Sequence, residues 1–157
     1  MARHNIYVVS QMPPFEPSTG YLPLGVHPWE WTEFVGAFIW NARRRLLLGG
    51  LRRALDNLRR GGCRQVIIDG SFVTSKDQPG DYDAAFDPVG VNGNLIDPIL
   101  LRHDDGRKAM KAKYFGDVFP WGAIACAKTG MIYHDFFQQD RSGQPKGVVL
   151  LNLKRLP

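Results

Sequence analysis

Residues 66–86, VIIDGSFVTSKDQPGDYDAAF, contain the stretch that decides the fold. Val66-Ile67-Ile68 is a short apolar, β-branched run, the pattern of a buried strand, and it ends in the turn-forming Asp69-Gly70-Ser71. A polar loop through Thr74, Ser75 and Lys76 leads to Pro79-Gly80, after which Asp81 and Asp83 stand at alternate positions ahead of Ala84-Ala85-Phe86. Read as a second strand, Asp81 to Phe86 turns both carboxylates to one side, because successive side chains alternate across the pleat. Magnesium takes one or two carboxylates together with waters and phosphate oxygens, so such a pair beside a glycine turn suits a metal-nucleotide site. Asp-x-Asp and Gly-Ser are each common in ordinary turns, where aspartate bonds its own backbone. Their order, strand then Gly-Ser then polar loop then paired aspartates, is the informative part.

The charge pattern centres on the same region. The chain has 157 residues and a net charge of +5, with 44% hydrophobic and 22% charged residues, which are ordinary globular values. Residues 63–106 carry eight aspartates, no glutamate and three basic groups, while residues 1–62 carry eight arginines and residues 107–157 nine basic groups. An acidic centre between basic flanks fits a metal-binding region with surroundings able to hold a polyphosphate or an RNA backbone. Cys63 and Cys126 lack metal-ligand spacing and read as small buried thiols, which favours a reducing cytoplasm. No apolar run approaches the length of a membrane span, and the N-terminus lacks the apolar region of a signal peptide.

Upstream, five prolines in residues 1–28 argue for an extended arm with a short strand at Ile6 to Val9, leaving 29–157 as a single domain. Pro28 to Glu33 has the composition of a first helical turn. Phe34, Phe38, Ala42 and Leu46 form one apolar stripe, and Leu48, Leu51, Leu55 and Leu58 another, with Gly49-Gly50 between them as a break or a point of close packing. Arginines fall mostly off the stripes. Arg43, Arg44, Arg45, Arg52 and Arg53 are therefore candidates for holding a protein partner or nucleic acid, against the plainer role of a solvated helix face.

Downstream, Asp97-Pro98 opens a short helix and Asp104 to Tyr114 a basic one. Asp117-Val118-Phe119 follows as a short strand. Met131 to Phe137 and Val148 to Leu153 are apolar and flank a turn-rich segment, Asp140 to Gly147, which reads as a C-terminal β-hairpin. His27, His103 and His134 have no zinc-site spacing, and the four tryptophans read as packing residues.

The Gly-Ser and Asp-x-Asp elements in this order resemble the signature of the polymerase-beta-like nucleotidyltransferase superfamily. YLPLGVHPWEWTEF, RRLLLGGL, DGSFVTSKDQPGDYD, KAKYFGDVFP and FFQQDRSGQPKG, spread over residues 20–153, resemble a small bacterial and phage-borne family of nucleotidyltransferase-like proteins. The resemblance implies an α/β (α+β) fold, a minimal mixed sheet flanked by helices. It implies a Mg2+- or Mn2+-dependent enzyme moving NMP from an NTP to an RNA, protein or small-molecule acceptor, within a toxin-antitoxin or phage-defence system. Asp81 and Asp83 would then be catalytic and hold the metal, and Gly70 and Ser71 would bind the nucleotide. Thr74 and Lys76 join the nucleotide site by their place on the loop. A third carboxylate commonly arrives in the superfamily on a strand after a helix, and Asp117 is the first candidate, Asp135 the second. Where many members carry an arginine-glycine element after the Gly-Ser, this chain has Phe72-Val73-Thr74. The alternative expectation is a catalytically degenerate binding module on the same scaffold, an antitoxin, inhibitor or counter-defence protein.

Overall fold

The structure, a computed structural model, describes residues 14–157. The strand expected at Ile6 to Val9 lies outside them. In chain order the elements are β1 (Val26–Trp29), α1 (Trp31–Phe38), α2 (Ala42–Arg60), β2 (Gln65–Asp69), β3 (Tyr82–Phe86), α3 (Lys108–Tyr114), β4 (Gly116–Pro120), β5 (Ile124–Cys126), β6 (Met131–Ile132), α4 (Tyr133–Phe136) and β7 (Val148–Asn152). A five-stranded mixed sheet runs β1-β7-β2-β3-β4, and β5 and β6 make a separate two-stranded ribbon. Helices flank this sheet, so the fold is α+β as expected.

Several local outcomes differ from the sequence reading. Within the expected arm, the described residues 14–28 pack onto the domain: Leu22 is buried, Phe15 packs against the core, and Val26–Trp29 is an edge strand parallel to β7. Pro28 is tolerated there because an edge strand leaves one side unpaired. The helix begins after it, at Trp31. The long apolar pattern breaks at residues 39–41 rather than at Gly49-Gly50. Asn41 caps α2 by accepting a hydrogen bond from the Arg44 amide at 2.9 Å. Restarting the helix changes its phase, which leaves Ala42 and Leu46 exposed and turns Leu47, Leu51, Ala54, Leu55 and Leu58 inward. Gly50 serves close packing, since a Cβ there would run into the Tyr114 carbonyl of α3.

The expected C-terminal hairpin does not form. Val148–Asn152 inserts into the main sheet between β1 and β2, parallel to one and antiparallel to the other. Its continuous apolar sequence suits a strand buried on both faces. Met131 to Phe137 divides into the short β6 and the turn of helix α4, with Tyr133 and Phe137 four residues apart and packed ring to ring.

The core has two unequal parts. Val66, Ile68, Ala84 and Val118 face the helices, packing with Leu47, Leu51, Leu55 and Phe34. Ile67, Ala85 and Phe119 face the other way, onto Phe137 and Val148. Neither cysteine is in a disulfide. Among the described residues no helix is long and apolar enough to cross a membrane.

Candidate active site

Strand register brings the acidic centre together. Asp69 pairs across to Asp83, and Asp83 pairs across to Asp117. Registered partners on neighbouring strands project from the same face. The three carboxylates thus form a row across β2, β3 and β4, on the face of Ile67, Ala85 and Phe119, away from α2. Asp81 precedes β3 by one residue and shares the parity of Asp83. The bend between β2 and the motif loop fits tightly against this row. Gly70 has φ +85°, and a Cβ there would sit 3.0 Å from Asp83 Oδ2, so only glycine meets both demands.

The row is electrostatically tense, and its members differ in how they are neutralised. Asp69 is 3% exposed, and burial pushes its carboxyl up to about 6 against the opposing pull of Lys146. Lys146 Nζ lies 3.1 Å from Asp69 Oδ1 as an ion pair, yet that oxygen is buried with no aligned hydrogen-bond donor. Asp117 is held by Arg107 at 3.0 Å and Lys111 at 3.5 Å. Asp83, in the middle, is pushed up to about 7 by burial first and then by Asp69, Asp81 and Asp117. Asp81 is raised by burial and by Asp117, with Lys111, Arg43 and Lys76 pulling the other way. Asp81 and Asp83 have no salt bridge among the described residues.

Asp83 in the row and Asp81 just ahead of β3 are the two carboxylates left to hold a magnesium ion, which needs only one or two when phosphate and water complete its shell. Among the described residues no three His, Cys, Asp or Glu side chains are disposed around a single metal position. Asp117 stands beside Asp83 as expected, but it is committed to two cations. Asp135, the second candidate, sits on α4, exposed and paired with His134 at 2.9 Å, and it is not part of the row.

The residues expected to bind nucleotide line one cavity. Gly70, Ser71, Thr74 and Lys76 border a space of about 420 Å³ together with Thr19, Tyr21 and Lys146. Lys76 and Lys146 place two positive charges on it. Thr74 acts within the loop: its hydroxyl donates to the Ser71 carbonyl at 2.7 Å and accepts from the Lys76 amide at 3.2 Å.

The start of α2 is the frame for this loop, which corrects the reading of its arginines. Arg44 is fully buried and unavailable to any partner. Its guanidinium donates to the carbonyls of Phe38 (2.9 Å), Phe72 (2.6 Å) and Thr74 (2.9 Å), and to that of Lys76. It stacks on Trp40 with 3.6 Å from Cζ to the ring centroid. Burial without a carboxylate partner pushes it down to about 10. Arg43 donates to the carbonyls of Pro79 and Gly80, and Trp40 and Asn41 hold Asp77. Arg45 remains exposed. Arg52 pairs with Asp56 at 3.1 Å, and Arg53 donates to the Lys113 carbonyl at 2.7 Å.

Sequence reasoning missed Asp69, Lys146 and Tyr21. Asp69 carries the mark of a turn former in the sequence, although its place two residues after the buried Ile67 puts it on the carboxylate face. Lys146 and Tyr21 arrive through tertiary structure. Asp140 accepts from the Tyr21 hydroxyl at 2.9 Å and from its own loop at Ser142 and Gln144, and this pins the segment that carries Lys146.

A protein-family model matches residues 13–152, nearly the whole described chain, and the protein belongs to that family, described as a family of unknown function (DUF6932). No curated protein and no solved structure matches the chain.

Proposed function

We propose that this protein is a magnesium-dependent nucleotidyltransferase, moving NMP from an NTP to a hydroxyl-bearing acceptor. The observation that carries the reading is the adjacency of two features. A cavity lined by the Gly70-Ser71 turn and two lysines meets the carboxylate row at Gly70, where a Cβ would sit 3.0 Å from Asp83 Oδ2, and neither Asp83 nor Asp81, just ahead of β3, has a salt bridge among the described residues. In such a reaction the acceptor oxygen attacks the α-phosphorus in line, the bond to the bridging oxygen breaks, and pyrophosphate leaves. Bound at Asp81 and Asp83, the ion would stabilise charge on the attacking and leaving oxygens. Lys76 supplies positive charge to the β- and γ-phosphates, and backbone amides following the Gly70 bend donate to phosphate oxygens. Asp117, held by Arg107 and Lys111, is a fixed element of the wall.

The test is calorimetric titration with each NTP in the presence of Mg2+, alongside transfer of label from radiolabelled NTPs. Wild type binds and transfers; the Asp81→Ala/Asp83→Ala double variant does neither. Activity surviving in the double variant would end the assignment.

A second reading has its own support. The outer carboxylates, Asp69 and Asp117, are already neutralised from within the chain, and Phe72 and Val73, where an arginine-glycine element is expected, are buried in the core. This is compatible with a scaffold kept for binding another macromolecule. It requires a folded wild type that shows no Mg2+-dependent NTP binding.

A further inference from the structure

We propose that the groove between α2 and α3 is a docking track for single-stranded nucleic acid. Resting on the transferase reading above, the strand is the acceptor whose end is delivered to Asp81.

The groove encloses about 620 Å³ and is lined by Arg52, Arg53, Arg59 and Arg60 of α2 and Lys113 of α3. Only two carboxylates share it. Asp56 is divided between Arg52 and Arg59, each at 3.1 Å, and Asp97 is taken by Lys113. Arg53 and Arg60 are therefore left exposed with no acidic partner among the described residues. Two of the guanidinium groups are pre-positioned on aromatic rings, Arg52 over Trp31 at 5.1 Å and Arg53 over Phe115 at 5.3 Å. Stacking fixes the plane of a guanidinium and leaves N–H groups at its edge for phosphate oxygens.

The spacing favours a polymer. The exposed Arg53 and Arg60 stand seven residues apart on α2, about 10 Å along the helix axis, beside Arg52 and Arg59, which Asp56 and the carbonyls of Pro157 and Leu156 hold in place. A ligand with one charge per repeat can follow such a line, whereas a compact phosphate occupies a single position on it. The track also leads somewhere. Phe115, beneath Arg53, lines a neighbouring cavity of about 290 Å³ together with Arg43, Leu46, Lys111 and Asp81. Leu46 is 50% exposed there, an apolar platform beside the carboxylate that a terminal base can cover.

The probe is a fluorescein-labelled oligouridylate of about 12 nucleotides, within the usual footprint of single-strand binders, read by fluorescence anisotropy. Four phosphate contacts on a single strand give a log–log salt slope of about −3. Wild type should show that slope. Arg53→Glu/Arg60→Glu should weaken binding at least tenfold and flatten the slope, while Lys128→Glu, exposed on the β5–β6 ribbon, leaves it unchanged. Mg2+-NTP affinity is measured on the same proteins and should not move with the groove variants. RNA binding lost in the double variant sustains the groove even where wild type fails to bind NTP, in which case the transferase reading falls alone. RNA affinity indifferent to Arg53 and Arg60 overturns the groove and leaves that reading standing. Equal affinity for poly-glutamate, dependent on the same two arginines, also overturns it and assigns the surface to an acidic protein.

Discussion

Replacing Arg44 by methionine isolates the frame that holds the motif loop. Methionine keeps much of the stem and its apolar contacts but strips the donors from three well-formed hydrogen bonds, to Phe38, Phe72 and Thr74 at 2.6–2.9 Å, and from that to Lys76. Each buried carbonyl left without a donor costs about 1–3 kcal/mol. Part of this is returned, because the variant no longer buries a charge whose ionised form burial disfavours. The net expectation is a loss of about 3–5 kcal/mol, a large fraction of the roughly 5–15 kcal/mol that stabilises a typical domain. For a chain of this size that lowers the melting temperature by about 6–20 °C. Urea unfolding with near-UV circular dichroism, on Arg44→Met beside the exposed Arg45→Met, makes the measurement. Arg45→Met should stay within about 0.5 kcal/mol of wild type. Arg44→Lys should recover only part of the loss, since an ammonium lacks the planar fork that reaches carbonyls on both sides. A cost for Arg44→Met below about 1 kcal/mol would show that the loop does not depend on the guanidinium, and the reasoning would fail.

Two further outcomes follow from the carboxylate row. Asp83 is raised from an ordinary 3.8 to about 7, so its contribution to stability is fully present below 3.8 and is lost as pH rises through about 7. That interval corresponds to on the order of 4 kcal/mol, and Asp83→Asn should therefore be the more stable protein at pH 8, with the gap closing toward pH 4 in urea denaturation. A gap independent of pH would mean the carboxylate is not electrostatically strained. Gly70→Ala should cost about 1–3 kcal/mol, because a Cβ at φ +85° is both strained and 3.0 Å from Asp83 Oδ2, and calorimetry should show weaker NTP binding as the bend opens. An alanine variant with unchanged melting and unchanged binding would contradict the tight fit.

Much of the centre of the fold was legible because local signals and the final structure agree there. The β-branched run 66–68, the turn at Gly70 and the Asp97-Pro98 opening each became the expected element, the strand expected from Asp81 begins one residue later at Tyr82, and Asp117 landed on a strand beside Asp83. The misreadings share a physical cause, namely that they depend on what lies across space. Arg44 sits in a run of three arginines and carries no local mark of burial; only the carbonyls of residues 38 and 71–76 make that burial affordable. The break before α2 did have a local mark, the capping Asn41, but the spacing of Phe34, Phe38, Ala42 and Leu46 ran straight through it. Val148–Asn152 was recognisable as a strand, yet nothing in its composition names its neighbours as β1 and β2. Lys146 is invisible as a site residue for the same reason, since its partner Asp69 is 77 positions away.

The position of β7 governs when the site can exist. The final strand in chain order occupies the second place in the sheet, so β1 has no partner and β2 lacks one neighbour until residues 148–152 arrive. Long-range pairing of this kind is slow, because the entropy of closing the chain is lost before the contacts form. Lys146 lies two residues ahead of β7, and so the counter-charge for Asp69 comes with the closing strand. During synthesis Asp69 therefore stays without its counter-charge until residues 146–152 have been made, although Asp117 already has Arg107 and Lys111.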